Sequence, residues 1–274
     1  MCGIFLLLNN NNYSETFISE QFMKSAHRGP EHSCLDLLNN NPTNYIGFHR
    51  LAINGLDSIS NQPITVDNIT LICNGEIYNY KELYKNLDIT PTTNSDCEVI
   101  IHCYKKYGID YTLQLLDGVF GFVLIDENTN NLFIGRDPYG VRPIYYFRSD
   151  DMWIFSSELK QVDKFVNLST DVIGQFPPSM CYIFRKKKLN EEQYKWNFDN
   201  SFQYITNLIQ PLKFTTYDEI YENINRYLTD AVVKRIHTSD RPIACLLSGG
   251  LDSSLITSIV SKNYSKKLRT FSIG

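Results

Sequence analysis

Nothing in this chain offers a framework for disulfides or zinc. The seven cysteines, at positions 2, 34, 73, 97, 103, 181 and 245, are odd in number and include no Cys-x-x-Cys pair, so reduced thiols in a cytoplasm are the expected setting. Positive charge is also in short supply. Lys and Arg number 26 against 30 Asp and Glu, a net of −4, which spreads no field able to hold nucleic acid or an anionic membrane surface. A small-molecule substrate is the expectation. Long apolar runs are missing as well: the opening run at 4–8 is short for a signal sequence and has no basic leader, and no stretch approaches a membrane span.

What is present fits a globular protein. With 274 residues, 43% of them hydrophobic, the chain can form one large domain, or one domain and part of another. Strands are expected at 4–8, 46–53, 70–73, 119–125, 132–135, 144–147, 152–156 and 181–184, with Asn74-Gly75 read as a turn signal. Ser95-Asp96-Cys97-Glu98 reads as a capping box opening a helix that Gly108 ends. Helices lying between groups of strands point to a layered α+β domain over 2–184. Residues 185–215, polar and aromatic without period and containing Lys186-Lys187-Lys188, read as a linker. A second unit, 216–274, opens on the capping box Thr216-Tyr217-Asp218-Glu219 and continues as one βαβ unit of a parallel sheet, with strands at 243–247 and 268–273 around a helix at 253–262.

Chemistry is concentrated at the start. Cys2 follows the initiator Met1; with Met1 removed, it carries a thiol and a free α-amino group, whose ordinary pKa of about 7.7–8.0 leaves part of it neutral and able to act as the thiol's base. Alone, Cys2 is only an early cysteine. Its company changes the reading: His27-Arg28-Gly29-Pro30, Phe48-His49-Arg50-Leu51-Ala52, Asn74-Gly75-Glu76-Ile77-Tyr78-Asn79, Ser95-Asp96, and Gly135-Arg136-Asp137-Pro138-Tyr139-Gly140-Val141-Arg142-Pro143. Their order resembles the class II glutamine amidotransferases, N-terminal-nucleophile hydrolases that release ammonia from glutamine. The resemblance implies an αββα sandwich with Cys2 as nucleophile, and an oxyanion hole made by the Asn74 side-chain amide and the Gly75 backbone N–H. It implies that Arg50 makes a forked contact to the α-carboxylate of glutamine, and that Asp96, with Glu76, receives the α-ammonium. Leu51, Ala52, Ile53 and Asn54 would line the same pocket. His27, Arg28 and the 135–143 loop are read as structural.

A second signature, Leu246-Leu247-Ser248-Gly249-Gly250-Leu251-Asp252-Ser253-Ser254, follows a strand and opens a helix, the setting of an anion cradle. No Gly-Lys-Ser/Thr closes it, so it is not a Walker A loop. The pattern resembles the PP-loop of ATP pyrophosphatases, an α/β domain that begins here. That resemblance implies ATP as substrate, with Ser248, Gly249, Gly250, Asp252 and Ser253 around its pyrophosphate and Asp252 near Mg2+. It also implies that the backbone of Leu246, Leu247 and Ile273 holds the adenosine.

The two domains in this order resemble the glutamine-hydrolysing asparagine synthetase family, which implies the substrates glutamine, aspartate and ATP and a β-aspartyl-AMP intermediate. A homodimer is compatible with the sequence. The second unit is too small to cover a parallel sheet, so a fragment of a longer protein is expected, with the acceptor site outside it. Three other readings stay open: a glutaminase alone, an amidotransferase that adenylates a different acid, and a non-catalytic remnant.

Overall fold

The computed structural model describes residues 1–10, 12–38, 41, 43–166, 170–190, 194–204 and 216–273. The chain divides into two compact units, Met1–Asn207 and Leu208–Gly274. In chain order the first runs β1 (Gly3–Leu8), α1 (Glu15–Met23), β2 (His32–Leu37), β3 (Tyr45–Arg50), β4 (Ile64–Val66), β5 (Ile69–Ile77), α2 (Tyr80–Leu87) and α3 (Val99–Leu115). It continues with β6 (Gly118–Asp126), β7 (Asn131–Arg136), β8 (Tyr145–Ser149), β9 (Met152–Ser156), β10 (Val172–Gln175), β11 (Met180–Lys188) and β12 (Tyr194–Gln203).

These strands form two six-stranded antiparallel sheets, ordered β10-β8-β9-β1-β3-β2 and β12-β11-β7-β6-β5-β4. Alternation along each strand builds the layers. On β1, Ile4, Leu6 and Leu8 join Ile72, Val123, Ile134 and Phe155 in a core between the sheets, while Phe5 and Leu7 turn the other way onto Ile18 and Phe22 of α1. On β5, Leu71, Cys73 and Ile77 pack outward against Leu83 of α2 and Val99 and Ile100 of α3. The result is the expected sandwich of helix, sheet, sheet and helices.

Four readings are corrected. Asn74-Gly75 is not a turn: β5 runs straight through it, Asn74 opposite Gly121 and Gly75 opposite Phe120, because pairing along the whole of β6 outweighs a local turn preference. The stretch read as a linker is sheet over much of its described part, while 191–193 and 205–215 lie outside the described residues. Residues 185–188 and 194–203 pair antiparallel as the β11–β12 hairpin, with Trp196 fully buried and Lys186 ion-paired to Glu127 at 2.7 Å. Ser95-Asp96-Cys97-Glu98 is no reciprocal box either. Ser95 caps Cys97 N at 3.3 Å, but the Glu98 side chain bonds elsewhere. Gly108, at φ +77°, kinks α3 but does not end it, and helix resumes as far as Leu115.

The second unit holds α4 (Tyr217–His237), β13 (Ala244–Leu246), α5 (Leu251–Asn263) and β14 (Arg269–Phe271), with β13 and β14 parallel. Its capping box is complete: Thr216 accepts from Glu219 N, and the Glu219 side chain from Thr216 N. A small core of Val232, Ile236, Cys245, Ile259 and Val260 joins its elements.

Candidate functional site

β4 pairs with β5 only as far as Leu71, so β5 runs on with a free edge. Phe120 of β6 turns its own N–H and C=O to Asp137, at 3.3 and 2.8 Å, which makes Gly75–Phe120 a non-bonded pair and aims the Gly75 N–H off the free edge. Polar side chains take the positions on either side: Gln62 bonds Cys73 N at 2.6 Å and Cys73 O at 3.2 Å, and Asp96 Oδ2 accepts from Ile77 N at 2.7 Å. Only glycine fits at 75, since a Cβ there would lie 2.6 Å from Val119 O. Asn74 projects from the opposite face, and its Nδ2, fully buried, has no hydrogen-bond partner among the described residues.

This edge forms one wall of a pocket whose other wall comes from the first sheet. Cys2 lies just before β1; its thiol meets the backbone of Leu51, 3.4 Å from Leu51 O and 3.3 Å from Leu51 N. Burial pushes the Cys2 thiol pKa up, against the Leu51 N–H, which favours the thiolate. Arg28 Nε donates to Cys2 O at 2.8 Å, and Arg28 Nη1 is ion-paired with Glu158 at 3.2 Å. The amino terminus of Met1 is held below its ordinary pKa, first by burial and then by the charges of Arg28 and Arg142.

All ten residues expected to bind or transform glutamine line this pocket: Cys2, Arg50 to Asn54, Asn74 to Glu76, and Asp96. Asp96 is fully enclosed, and burial raises its carboxyl pKa to about 6 despite the Ile77 N–H. The Asn54 amide lies beside it but outside hydrogen-bonding geometry. The Arg50 guanidinium is already bonded within the protein: Nη1 donates to Asp57 O at 2.8 Å and Asn61 Oδ1 at 2.6 Å, and Nη2 to Gly55 O and, at 3.5 Å, Asn54 O. Buried nitrogens need acceptors, and the carbonyls of the loop after β3 provide them.

Of the residues read as structural, or passed over, Arg142 lines the pocket, and Arg28 and Glu98 support it from outside the lining. Arg142 comes from the 135–143 loop, which Asp137 folds by accepting from Tyr139 N, Val141 N and Arg142 N at 3.1, 2.9 and 3.0 Å; Arg142 then pairs with Glu76 at 2.8 Å in the pocket wall. Arg28 holds the Cys2 carbonyl. Glu98, fully buried, accepts from Thr92 N and Oγ1 at 2.7 and 2.9 Å, from Thr93 N and Oγ1 at 2.6 Å each, and bonds His102 at 2.9 Å. It fixes the turn that delivers Asp96. Spacing alone gives no sign of Arg142, but Glu98 and His102, polar and four apart at the start of an apolar helix, were a signal.

These bonds hold the Glu98 pKa down, to about 2, against its burial. A depressed carboxyl stabilises the fold above its unfolded pKa and loses that contribution as pH falls through the folded value. Glu98→Ala is therefore expected to cost about 3 kcal/mol of stability at neutral pH, with the gap to wild type narrowing from about pH 4.5 towards 2; urea titrations at several pH values measure it.

In the second unit, Gly249 at φ +83° and Gly250 as N-cap of α5 bend the chain from β13 into the helix. Ser248 Oγ and Ser253 Oγ meet across this bend at 3.0 Å, and Asp252 stands in the first turn of α5. The loop can cradle an anion at a helix N-terminus. Leu247 is less free than expected: its N–H donates to Phe271 O at 2.8 Å and its carbonyl accepts from Ser272 Oγ at 2.6 Å. Leu246 pairs with Phe271 in the sheet, and Ile273 is fully exposed. Among the described residues no group of three or more His, Cys, Asp or Glu could hold a metal ion, and no helix is long and apolar enough to cross a membrane.

Comparison with known proteins places the two units. Residues 1–195 match the glutamine amidotransferase domain family and residues 223–274 the asparagine synthase family. Curated relatives titled asparagine synthetase [glutamine-hydrolyzing] are 35% identical in Mus musculus over 294 residues and 34% identical in Homo sapiens over 301, each match covering the whole of this chain and 52% of the relative. The chain thus spans about half the length of the curated relatives it matches. Among solved structures, the Bacillus subtilis glutamine phosphoribosylpyrophosphate amidotransferase with ADP and GMP superposes with a TM-score of 0.56 at 17% identity, over 98% of this chain and 65% of that one. A structure titled the allosteric regulatory enzyme of purine biosynthesis gives 0.57 at the same identity and coverage; both show likeness of fold.

Proposed function

Since the chain belongs to the glutamine amidotransferase family, we propose that its first unit hydrolyses glutamine and that the released ammonia serves ATP-dependent synthesis of asparagine from aspartate in the full-length protein. The observation that carries this reading is the convergence, in one pocket, of the Cys2 thiol from the first sheet with the unpartnered Asn74 amide and the edge N–H of Gly75 from the second. After removal of Met1, the Cys2 α-amine takes the thiol proton as Sγ bonds to the side-chain carbonyl carbon of glutamine, and the carbonyl oxygen takes the electron pair. Asn74 Nδ2 and Gly75 N–H then meet that oxyanion. Collapse expels ammonia with a proton returned by the amine, and water cleaves the thioester to glutamate. Asp96 and Glu76 receive the α-ammonium. Arg50 supplies positive charge to the α-carboxylate, exchanging a loop carbonyl for a carboxylate oxygen.

Asn74→Ala removes one oxyanion donor and is expected to lower kcat about a hundredfold with KM little changed, measured by glutamate release.

For the second unit we propose that the backbone N–H groups of Gly249 and Gly250 and the hydroxyls of Ser248 and Ser253 hold the ATP pyrophosphate. The donor set fits Mg2+ only in part, with Asp252 as the one carboxylate of the loop; Mg2+ commonly takes one or two carboxylates and completes its shell from phosphate oxygens and water. Bound there, it would neutralise phosphate charge. Adenylation of aspartate to β-aspartyl-AMP would turn a carboxylate oxygen into a leaving group that ammonia displaces. All seven cysteines are free thiols, and a reducing cytoplasm is the compartment proposed. The test is to supply full-length protein with glutamine, aspartate and ATP: glutamate, asparagine, AMP and pyrophosphate are expected in step. Glutamate and AMP formed with another acid in place of aspartate would reassign the acceptor, and no AMP with any acid would leave a glutaminase alone.

A further inference from the structure

The two halves of the glutamine clamp sit on different segments. Arg50 is bound into the loop that follows β3, through Asp57 O and Asn61 Oδ1, whereas Asp96 follows the turn that Glu98 secures at Thr92 and Thr93. A short hydrogen-bond network joins them. Asp57 Oδ2 accepts from Asn94 Nδ2 at 2.6 Å, Asp57 Oδ1 accepts from Ser60 N at 3.1 Å and Ser60 Oγ at 2.8 Å, and Ser60 Oγ in turn accepts from Asn94 N at 3.1 Å. Gly55, at φ +60°, lets the loop lie directly against Asn94: a Cβ there would stand 2.7 Å from the Asn94 carbonyl carbon. Asp57 and Asn94 are both exposed, and neither lines the pocket.

We propose that Asp57 and Asn94 form a latch that holds the Arg50 loop and the Asp96 turn at the separation that fits an α-amino acid head group, making them positioning residues for glutamine. The inference rests on the reading of the pocket as a glutamine site. It follows from geometry: Arg50 and Asp96 must address the two ends of one Cα centre, so an error in their spacing weakens both contacts together. The latch carboxylate is held below the usual range first by the Asn94 amide.

The test is made on full-length protein, following alkylation of Cys2 by iodoacetamide through peptide mass spectrometry, with glutamine as protectant. Iodoacetamide has no amino-acid head group and reports the thiol; protection reports the clamp, whether or not the protein turns glutamine over. D57A and N94A are each expected to weaken the protection constant about tenfold with unprotected alkylation unchanged. The double variant should be no weaker than the weaker single one, and N94D, which sets two carboxylates face to face, should be at least as weak as N94A. Unchanged protection in D57A and N94A overturns the latch and leaves the glutamine site standing. Parallel slowing of unprotected alkylation shows general disruption and overturns it as well, and absence of protection in the wild type removes latch and glutamine reading together.

Discussion

Replacing Cys2 by alanine is expected to reduce glutamine hydrolysis by at least about 10⁴-fold, the scale on which loss of a covalent nucleophile is felt when binding remains. The side chain's hydrogen bonds are two, both to Leu51, so the variant should fold. Glutamine should still bind, since Arg50, Glu76 and Asp96 are untouched, and ammonia supplied directly to the full-length variant should support asparagine formation, because it bypasses the damaged step. Serine at the same position keeps the α-amine and the geometry but offers a far weaker nucleophile, so it should fall close to alanine. The amine is tested separately: intact-mass measurement of active protein should show Met1 missing. Full activity with Met1 still attached would break the proposed proton transfer.

Much of this pocket was legible in the sequence through resemblance: the motifs that carry Cys2, Arg50, Asn74, Gly75 and Asp96 stand in the family's order, and all five residues line one pocket. What local reading could not supply was pairing between distant segments. Asn74-Gly75 has turn character on its own, yet β6 holds it extended, and that extended form is what places the amide on one face and the N–H on the edge. Lys186 looks like free surface until β12 lies beside it and sets its ammonium over the Tyr194 ring, while Lys187 and Lys188 stay exposed. Arg142 was hidden for the same reason: only the way Asp137 gathers three backbone N–H groups brings it round to Glu76. In the second unit the parallel pair and its loop were readable because strand, glycines and helix are consecutive in the chain.

Asp96→Asn should give the second large effect, and it should act in opposite directions on binding and on stability. A buried carboxylate that meets an ammonium is lost, and removal of one partner of such a pair costs about 4 kcal/mol, so kcat/KM for glutamine should fall roughly a thousandfold, chiefly through KM. Stability should move the other way. The Asp96 pKa is raised from 3.8 to about 6, chiefly by burial; the folded state therefore binds the proton more tightly than the unfolded state, and wild-type stability declines as pH rises from about 4 to 6. Asn, neutral throughout and still offering an oxygen to Ile77 N, escapes that decline, so above pH 6 the variant should unfold at higher denaturant than the wild type, whereas near pH 4 the two should converge. In the wild type the same protonation should raise KM for glutamine as pH drops below about 6. A variant that loses both affinity and stability at neutral pH would mean that the carboxylate is stabilised where it sits, against the raised pKa that burial gives it.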